Sequence, residues 1–256
     1  MARQRAAAGT QEANISRQRN FWNARAQSWD HGAGNNPGLV KVVERVIAEA
    51  QPSAGMTVID IGCGSGQLTL RVAPLVERIV GVDISKAMID LLEHNAAEAG
   101  LTNVEGIAMA LEHLEIEAAS VDLVISNYVL HHLRDRDKAA AVVAAARWLK
   151  PGGRLVIGDM MFGRGANARD REIISSKVTL MLRKGPAGWW RIAKNASRYL
   201  LRFQERPVAI SAWVEMFRAA GLVEVVAIPV VNEASVVRGT RTGAESHVQR
   251  QSPAGT

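Results

Sequence analysis

The chain has 256 residues, 48% of them hydrophobic, which is enough to bury a full core as one domain or as one domain with an insertion. Its formal net charge of +6 allows an anionic partner such as nucleic acid or acidic lipid without establishing one. Cys63 is the only cysteine, which excludes an intrachain disulfide and a cysteine-based metal cluster, and we expect no metal site.

The two ends of the chain differ in composition from its centre. The opening MARQRAAAGT is basic but lacks the apolar core of a secretory signal, and no stretch approaches the roughly 18 apolar residues of a membrane-spanning helix. The expected location is therefore the cytoplasm. Residues 1–16 and 241–256 are polar without sustained periodicity, so we expect disordered tails around a domain spanning 17–240.

The centre alternates short apolar runs with helical patterns. The strand candidates are 57–62, 78–84, 104–110, 121–130 and 154–160, and the helix candidates between them are 67–76, 86–100 and 137–150. This alternation indicates an α/β domain with a mainly parallel, doubly wound sheet. After a helix candidate at 211–221, two further runs, 222–231 and 234–240, are close enough to form an antiparallel terminal hairpin, which brings the sheet to seven strands.

The segment VIDIGCGSGQLTL, residues 58–70, places three glycines directly after the first strand and its carboxylate, Asp60. A glycine-rich turn between strand and helix lets backbone N–H groups approach a ligand, and the helix start favours negative charge. The second strand ends at Asp83, whose carboxylate can accept hydrogen bonds from both hydroxyls of a ribose. The pattern therefore predicts a nucleotide-like ligand at the carboxyl edge of the sheet.

The spacing of the glycines separates two kinds of ligand. A dinucleotide fold usually shows G-x-G-x-x-G, whereas this chain has G-x-G-x-G. The pattern resembles the first motif of the class I S-adenosylmethionine-dependent methyltransferase family, in its small-molecule, ubiquinone/menaquinone-methyltransferase-like branch. The resemblance extends over residues 20–240 and includes VGVDIS, SVDLVISNYVLHHL, RWLKPGGRLVIGD and WVEMFRAAGL. It implies the Rossmann-like methyltransferase fold and S-adenosylmethionine as cofactor.

The resemblance also implies roles for individual residues. Asp60 would orient the methionine end of the cofactor, the glycines would let it lie against the loop, Asp83 would hold the ribose and Ile84 would pack on the adenine. Related proteins often carry an aspartate where this chain has Ala110, so the backbone near Leu111 or the side chain of Glu112 would have to reach the adenine. The cofactor-binding set is Asp60, Gly62, Cys63, Gly64, Gly66, Asp83, Ile84, Leu111 and Asn127.

The acceptor end of the site is expected where the fourth and fifth strands end. SNYVLHHL offers Asn127, Tyr128, His131 and His132, and the fifth strand ends at Asp159. A neutral imidazole can deprotonate a hydroxyl near physiological pH, so His131, His132 and Asp159 are the catalytic candidates. One of the histidines could instead cap the following helix. The N/D-P-P-Y/F motif of many enzymes that methylate nucleic-acid bases is absent, which weakens that interpretation.

Two segments are candidates for covering the site. FWNARAQSWD, residues 21–30, resembles the short helix that covers the cofactor in small-molecule methyltransferases, with Trp22 and Trp29 closing it or simply packing on the sheet edge. Residues 160–210 look like an inserted helical lid. Residues 164–206 contain eleven lysines and arginines but only three acidic residues. Residues 189–203 have the pattern of an amphipathic helix with one basic face. That face could be solvated, rest on anionic lipid or bind RNA phosphate.

These patterns predict an S-adenosylmethionine-dependent methyltransferase acting on oxygen or carbon of a small, hydrophobic or lipid-like acceptor. An RNA or protein methyltransferase guided by residues 164–206 is the first alternative. A regulatory protein that binds the cofactor without turnover is the second. The acceptor and the oligomeric state are not readable from the sequence.

Overall fold

The computed structural model describes residues 2–33, 36–163, 168–182 and 206–243. The strands within these ranges are β1 Thr57–Ile61, β2 Arg78–Asp83, β3 Val104–Ala108, β4 Val121–Asn127, β5 Leu149–Met160, β6 Leu222–Pro229 and β7 Ala234–Arg241. The helices are α1 Ala2–Asn23, α2 Ala26–Ala33, α3 Pro37–Ala50, α4 Thr69–Val72, α5 Lys86–Glu98, α6 Asp135–Trp148, α7 Ala168–Leu182 and α8 Ile210–Ala219. Short 3-10 turns follow α4, β3 and β4.

The seven strands form one sheet in the order β3-β2-β1-β4-β5-β7-β6. The first five strands run parallel, while β7 lies antiparallel between β5 and β6. The predicted α/β fold with an antiparallel terminal hairpin is confirmed. Because the strand order reverses between β1 and β4, their carboxyl ends flank the crevice in which doubly wound folds bind ligands.

Helices cover both faces of the sheet, and each face has its own apolar core. On one face α3 packs against the centre of the sheet through Val42, Val43 and Val46. On the other face α6 and α8 bury Trp148, Trp213 and other large side chains. The two cores hold β1 and β4 between them, so the residues at the ends of these strands are fixed on both sides.

Local capping explains where two of the helices begin. The Asn36 side chain accepts hydrogen bonds from the N–H groups of Gly38 and Leu39, ahead of Pro37 in the first turn of α3. At the start of α5, the Ser85 side chain accepts a hydrogen bond from the N–H of Met88. The Ser85 cap begins α5 two residues after β2, at the edge of the sheet that carries the candidate site.

The amino-terminal segment differs from the sequence prediction. Residues 1–16 were expected to be a disordered tail, but α1 extends from Ala2 to Asn23. Alanine is the strongest helix former, and the segment is rich in it. The helix is also held from its side, since Ile15 is 2% exposed and Glu12 pairs with His113 at 3.0 Å. The prediction overlooked these contacts because they join distant parts of the chain.

The predicted insertion is described only in part. Its first helix, α7, is anchored where the Asp170 side chain accepts a hydrogen bond from the N–H of Gly163 at 2.9 Å. The basic amphipathic pattern at 189–203 and most of the expected carboxyl-terminal tail, from residue 244 onward, lie outside the described residues. The lid assignment and the boundary at residue 240 therefore remain predictions.

Candidate functional site

An open cleft lies at the carboxyl ends of β1, β2 and β4, with an empty volume of about 1020 Å³ including the part open to solvent. Most of its lining comes from the ends of these strands and the loops that follow them, and the remainder comes from the segment after β3 and from α1, α2, α3 and α5. The lining residues that the sequence had singled out are Trp22, Trp29, Asp60, Gly62, Cys63, Asp83, Ile84, Leu111, Glu112, Asn127, Tyr128 and His132. The structure thus brings both ends of the predicted site into one cavity.

The glycine loop requires glycine for two different reasons. Gly62 has φ +69°, and a Cβ there would lie 2.3 Å from both methyl carbons of Val129, so a bare backbone lets the loop pack against the segment after β4. Gly64 has φ +53°, and the nearest atom to a Cβ there is the Trp29 Nε1 at 3.9 Å. The loop is therefore left-handed at both positions, and a Cβ at Gly64 would meet only the edge of the Trp29 ring, at van der Waals distance.

Asp83 joins the glycine loop to the start of α5. Its carboxylate accepts hydrogen bonds from the N–H of Gly64 at 3.1 Å and from the N–H of Ser85 at 2.8 Å. Burial raises the pKa of this carboxyl group, and the backbone hydrogen bonds oppose that rise. The N–H of Ile84 also lowers this pKa, and since a carboxylate has about four acceptor positions, acceptor capacity remains for a ligand hydroxyl.

Asp60 lies below the glycine loop and is almost fully buried, with 1% of its surface exposed. The hydroxyl of Thr69 donates a hydrogen bond to it at 2.6 Å. Burial raises the pKa of Asp60 to about 7, and the nearby charge of Asp83 adds to this rise. Its ionised form is therefore costly in the absence of a cation, and a positively charged ligand group in the cleft would stabilise it.

Cys63 also lines the cleft, but its thiol is not activated. The residue is 6% exposed, and burial together with the charges of Asp60 and Asp83 raises the pKa of the thiol. A thiol that stays protonated is a poor nucleophile. Cys63 therefore serves as a small side chain within the loop.

One wall of the cleft is suited to a flat apolar group. Ile84, Met109 and Leu111 line it, and Glu112 stands beside them. Ala110, by contrast, is 1% exposed and does not line the cleft. The sequence placed Leu111 and Glu112 at the adenine, and both line this wall. Sequence reasoning missed Met109, although this residue immediately follows β3 at the same edge of the sheet.

At the opposite end of the cleft, the chain turns sharply after β4. Tyr128 has φ +56°, an uncommon value for a side chain of this size, and its N–H donates to the carbonyl of Gly158 at 2.8 Å. The side-chain Oδ1 of Asn127 is buried without a hydrogen-bond partner. Burial raises the pKa of Tyr128, so its hydroxyl stays protonated and serves only as a neutral polar group.

The three catalytic candidates do not share one position. His132 lines the cleft, whereas His131 and Asp159 are buried behind it, with 5% and 0% of their surfaces exposed. The His131 Nδ1 lies 2.6 Å from Asp159 Oδ1, and the His131 backbone N–H donates to Asp159 Oδ2 at 2.9 Å. The ring centroids of the two histidines are 4.0 Å apart. The buried pair therefore supports the turn that presents His132, and only His132 can reach a molecule in the cleft.

The aromatic residues of the amino-terminal segment lie over the cleft. Trp22 packs edge-to-face against Trp29, with ring centroids 5.6 Å apart, and against His132 at 5.3 Å. Both tryptophans line the cavity. The structure thus favours the covering role of residues 21–30 over packing on the sheet edge.

Among the described residues, no helix is long and apolar enough to cross a membrane, and no group of three or more His, Cys, Asp or Glu could hold a metal ion.

Comparison with known proteins places this site in a family. The model of a methyltransferase domain matches residues 58–153, the part of the chain that holds the glycine loop, Asp83 and the turn after β4. The protein YafE of Escherichia coli is 30% identical over 163 residues, which cover 61% of this chain and 77% of that protein. The chain belongs to the class I S-adenosylmethionine-dependent methyltransferases. Within this methyltransferase, residues 160–210 lie beyond the matched domain.

Two further comparisons concern a relative and a solved structure. The ubiquinone biosynthesis O-methyltransferase of Nitrosococcus oceani is 30% identical over 145 residues, or 56% of this chain and 59% of that one. Magnesium protoporphyrin IX methyltransferase from Synechocystis PCC 6803, solved with bound S-adenosylhomocysteine, has the same fold, with a TM-score of 0.64 and 16% identity over 89% of this chain and 99% of that one. The methyltransferase described here spans about half the length of several curated relatives that it matches.

The residues of this methyltransferase fit S-adenosylmethionine. Asp83 has acceptor positions for the ribose hydroxyls, and the wall formed by Ile84 and Leu111 suits the adenine. Asp60, when ionised, would supply a buried negative charge for the cationic end of the molecule. Sequence reasoning missed Thr69, which orients Asp60. A Thr three residues after the last glycine was the available signal, because it lies on the first turn of the following helix.

Proposed function

We propose that this methyltransferase transfers the methyl group of S-adenosylmethionine to oxygen or carbon of a small, hydrophobic acceptor. The observation that supports this most directly is the chemically mixed lining of one cleft. Asp60, Gly62 and Asp83 line it together with aromatic and apolar side chains and His132. The named activity of the ubiquinone biosynthesis O-methyltransferase is consistent with such an acceptor.

Methyl transfer to the acceptor needs positioning more than acid–base assistance. Bound S-adenosylmethionine supplies a methyl group on a cationic sulfur, and transfer is an in-line displacement that leaves S-adenosylhomocysteine. The walls formed by Trp22, Trp29 and Leu133 can hold an apolar acceptor against that methyl group while excluding water. For a hydroxyl acceptor, His132 takes the proton as the oxygen–carbon bond forms. For an already ionised or carbon acceptor, His132 only shapes the pocket.

Two supporting roles follow from the buried groups. Asp159 binds both the ring and the backbone of His131, which fixes the turn before His132. Tyr128 remains protonated, so it can donate a hydrogen bond to an acceptor oxygen but cannot act as a base. His132 is therefore the catalytic residue that we propose, and His131 and Asp159 are positioning residues.

The first experiment is a calorimetric titration of the purified protein with S-adenosylmethionine and S-adenosylhomocysteine, with NAD as the control. Binding of the two sulfur compounds without NAD binding supports the proposal, whereas binding of none of them contradicts it. Incubation with S-adenosylmethionine carrying a labelled methyl group and a panel of phenols, prenylated phenols and structured RNA then identifies the acceptor class. A protein that binds the cofactor but transfers no label to any of them would favour the regulatory alternative.

The alternatives that depend on residues 164–206 remain predictions, since most of that segment lies outside the described residues. RNA binding would show a steep loss of affinity with increasing salt, because each neutralised phosphate releases counterions. Contact with anionic lipid would show as sedimentation with acidic but not neutral vesicles. A cytoplasmic location is likewise part of the proposal.

A further inference from the structure

The last residue of α1 is hydrogen-bonded to the start of α5. The Asn23 Oδ1 accepts a hydrogen bond from the hydroxyl of Ser85 at 2.6 Å and from the N–H of Ala87 at 3.3 Å. A backbone N–H can only donate, so Asn23 presents its oxygen and uses it as the acceptor in both contacts. These residues are more than sixty positions apart in the sequence, and the contact therefore holds the end of α1 against the start of α5.

Ser85 connects this contact to the ribose carboxylate. Its backbone N–H donates to Asp83 Oδ1 at 2.8 Å, while its hydroxyl oxygen accepts the N–H of Met88 at 3.2 Å. Ser85 is fully buried, so these bonds are shielded from competing water. A continuous series of hydrogen bonds thus runs from Asp83 through Ser85 to Asn23.

The residue before Asn23 lies directly over the cleft. Trp22 lines the cavity and contacts Trp29 and His132 through its ring. Because Asn23 is hydrogen-bonded to the start of α5, the backbone of the preceding residue, Trp22, is also restrained. A helix end without that contact could lift and carry the Trp22 ring away from the cleft.

We propose that Asn23 is a positioning residue that latches α1 over the cofactor, so that its loss speeds the escape of bound nucleotide. This inference rests on the proposed function, because it concerns the same cleft. A ligand that is held mainly by the latched form of the protein has an apparent affinity proportional to the fraction of the protein in that form. Any substitution that lowers this fraction therefore weakens binding. Bound nucleotide leaves when α1 lifts, and entry also needs the lifted form, so loss of the latch should raise the dissociation rate more than it changes the association rate.

The test compares three variants with the wild type by titration with S-adenosylhomocysteine. Asn23→Ala removes the acceptor, and two lost hydrogen bonds should weaken binding on the order of tenfold. Asn23→Asp keeps acceptor oxygens next to the start of α5, where negative charge is favourable, while the same charge is unfavourable at the end of α1. Since these two effects oppose each other, Asn23→Asp should recover most of the affinity that Asn23→Ala loses. Asn20→Ala, at an exposed position of the same helix, is the matched control and should leave affinity unchanged.

A second measurement needs no ligand. Hydrogen exchange of the peptide covering residues 20–33 should be faster in Asn23→Ala than in Asn20→Ala.

A third measurement follows the binding and release of S-adenosylhomocysteine by stopped-flow fluorescence. Dissociation should be faster in Asn23→Ala than in the wild type, with little change in the association rate.

The outcomes separate the latch from the function on which it rests. If the wild type binds neither S-adenosylmethionine nor S-adenosylhomocysteine, the proposed function is wrong and the latch falls with it. If the wild type binds and Asn23→Ala binds equally well, the latch alone is wrong. An equal loss in Asn20→Ala, or no recovery in Asn23→Asp, would also overturn it, because either result would place the cause outside the acceptor oxygen.

Discussion

Replacing Asp60 with asparagine should stabilise this protein at alkaline pH while weakening its binding of S-adenosylmethionine. Burial raises the pKa of Asp60 from 3.8 to about 7, so the unfolded chain releases this proton at a lower pH than the folded protein. Between these two values the folded state binds more protons than the unfolded state. The free energy of unfolding therefore falls as pH rises through this window, and the loss is complete above about pH 7.

The size of the effect follows from the displaced pKa. Relative to strongly acidic pH, the raised pKa of Asp60 lowers the free energy of unfolding by about 4 kcal/mol at pH 8 and by about 1 to 2 kcal/mol at pH 5. Asparagine still accepts the hydroxyl of Thr69 through its oxygen, but its buried NH₂ group loses hydrogen bonds to water, at a cost of about 1 to 3 kcal/mol. That cost is the same at both pH values. The difference between the effects of Asp60→Asn at pH 8 and at pH 5 should therefore be about 2 to 3 kcal/mol.

Urea unfolding of the wild type and Asp60→Asn at both pH values measures this difference directly. Glu115→Gln, which removes an exposed carboxyl group, is the control and should show no such dependence. Calorimetry on the same samples should show weaker S-adenosylmethionine binding by Asp60→Asn. A variant whose stability relative to the wild type is the same at pH 5 and pH 8 would refute the argument, because Asp60 would then be ionised without a penalty.

Three other substitutions, one of them paired with a control outside the site, test separate parts of the site. Asp83→Ala removes the acceptor of the ribose hydroxyls and should weaken S-adenosylmethionine binding by about 1.5 to 3 kcal/mol in calorimetry, so an unchanged affinity would remove the ribose assignment. Gly64→Ala and Gly55→Ala both place alanine at positive φ and should each cost about 1 kcal/mol of stability. Only Gly64→Ala should also weaken cofactor binding, and equal affinities would show that the space above Gly64 is not used. Asp159→Ala leaves the ring and the backbone N–H of His131 without their buried partner. The free energy of unfolding measured by urea titration should fall by about 3 kcal/mol. A loss below about 1 kcal/mol would show that the pair does not hold the turn.

The sequence predicted the sheet because its signals are local. Apolar runs of strand length alternate with helical patterns, and the structure has a strand in every one of the seven predicted runs. The glycine loop, Asp60, Asp83 and the turn after β4 were also found from the sequence, since each lies at the end of a strand or immediately after it. Parallel strands end at the same edge of a sheet, so that position alone predicts that these residues lie close together.

Only the tertiary structure decided which of these residues reach the cleft and what holds them. His131 and His132 are neighbours in sequence, yet one is buried against Asp159 and the other lines the cavity, because the 3-10 turn at Leu130–His132 directs consecutive side chains differently. The pKa of Asp60 depends on burial by two packed layers, and the contact between Asn23 and Ser85 joins residues far apart in the chain. Local patterns fix which elements form, but burial and long-range contacts arise only when those elements pack together, and they determine the chemistry of each side chain.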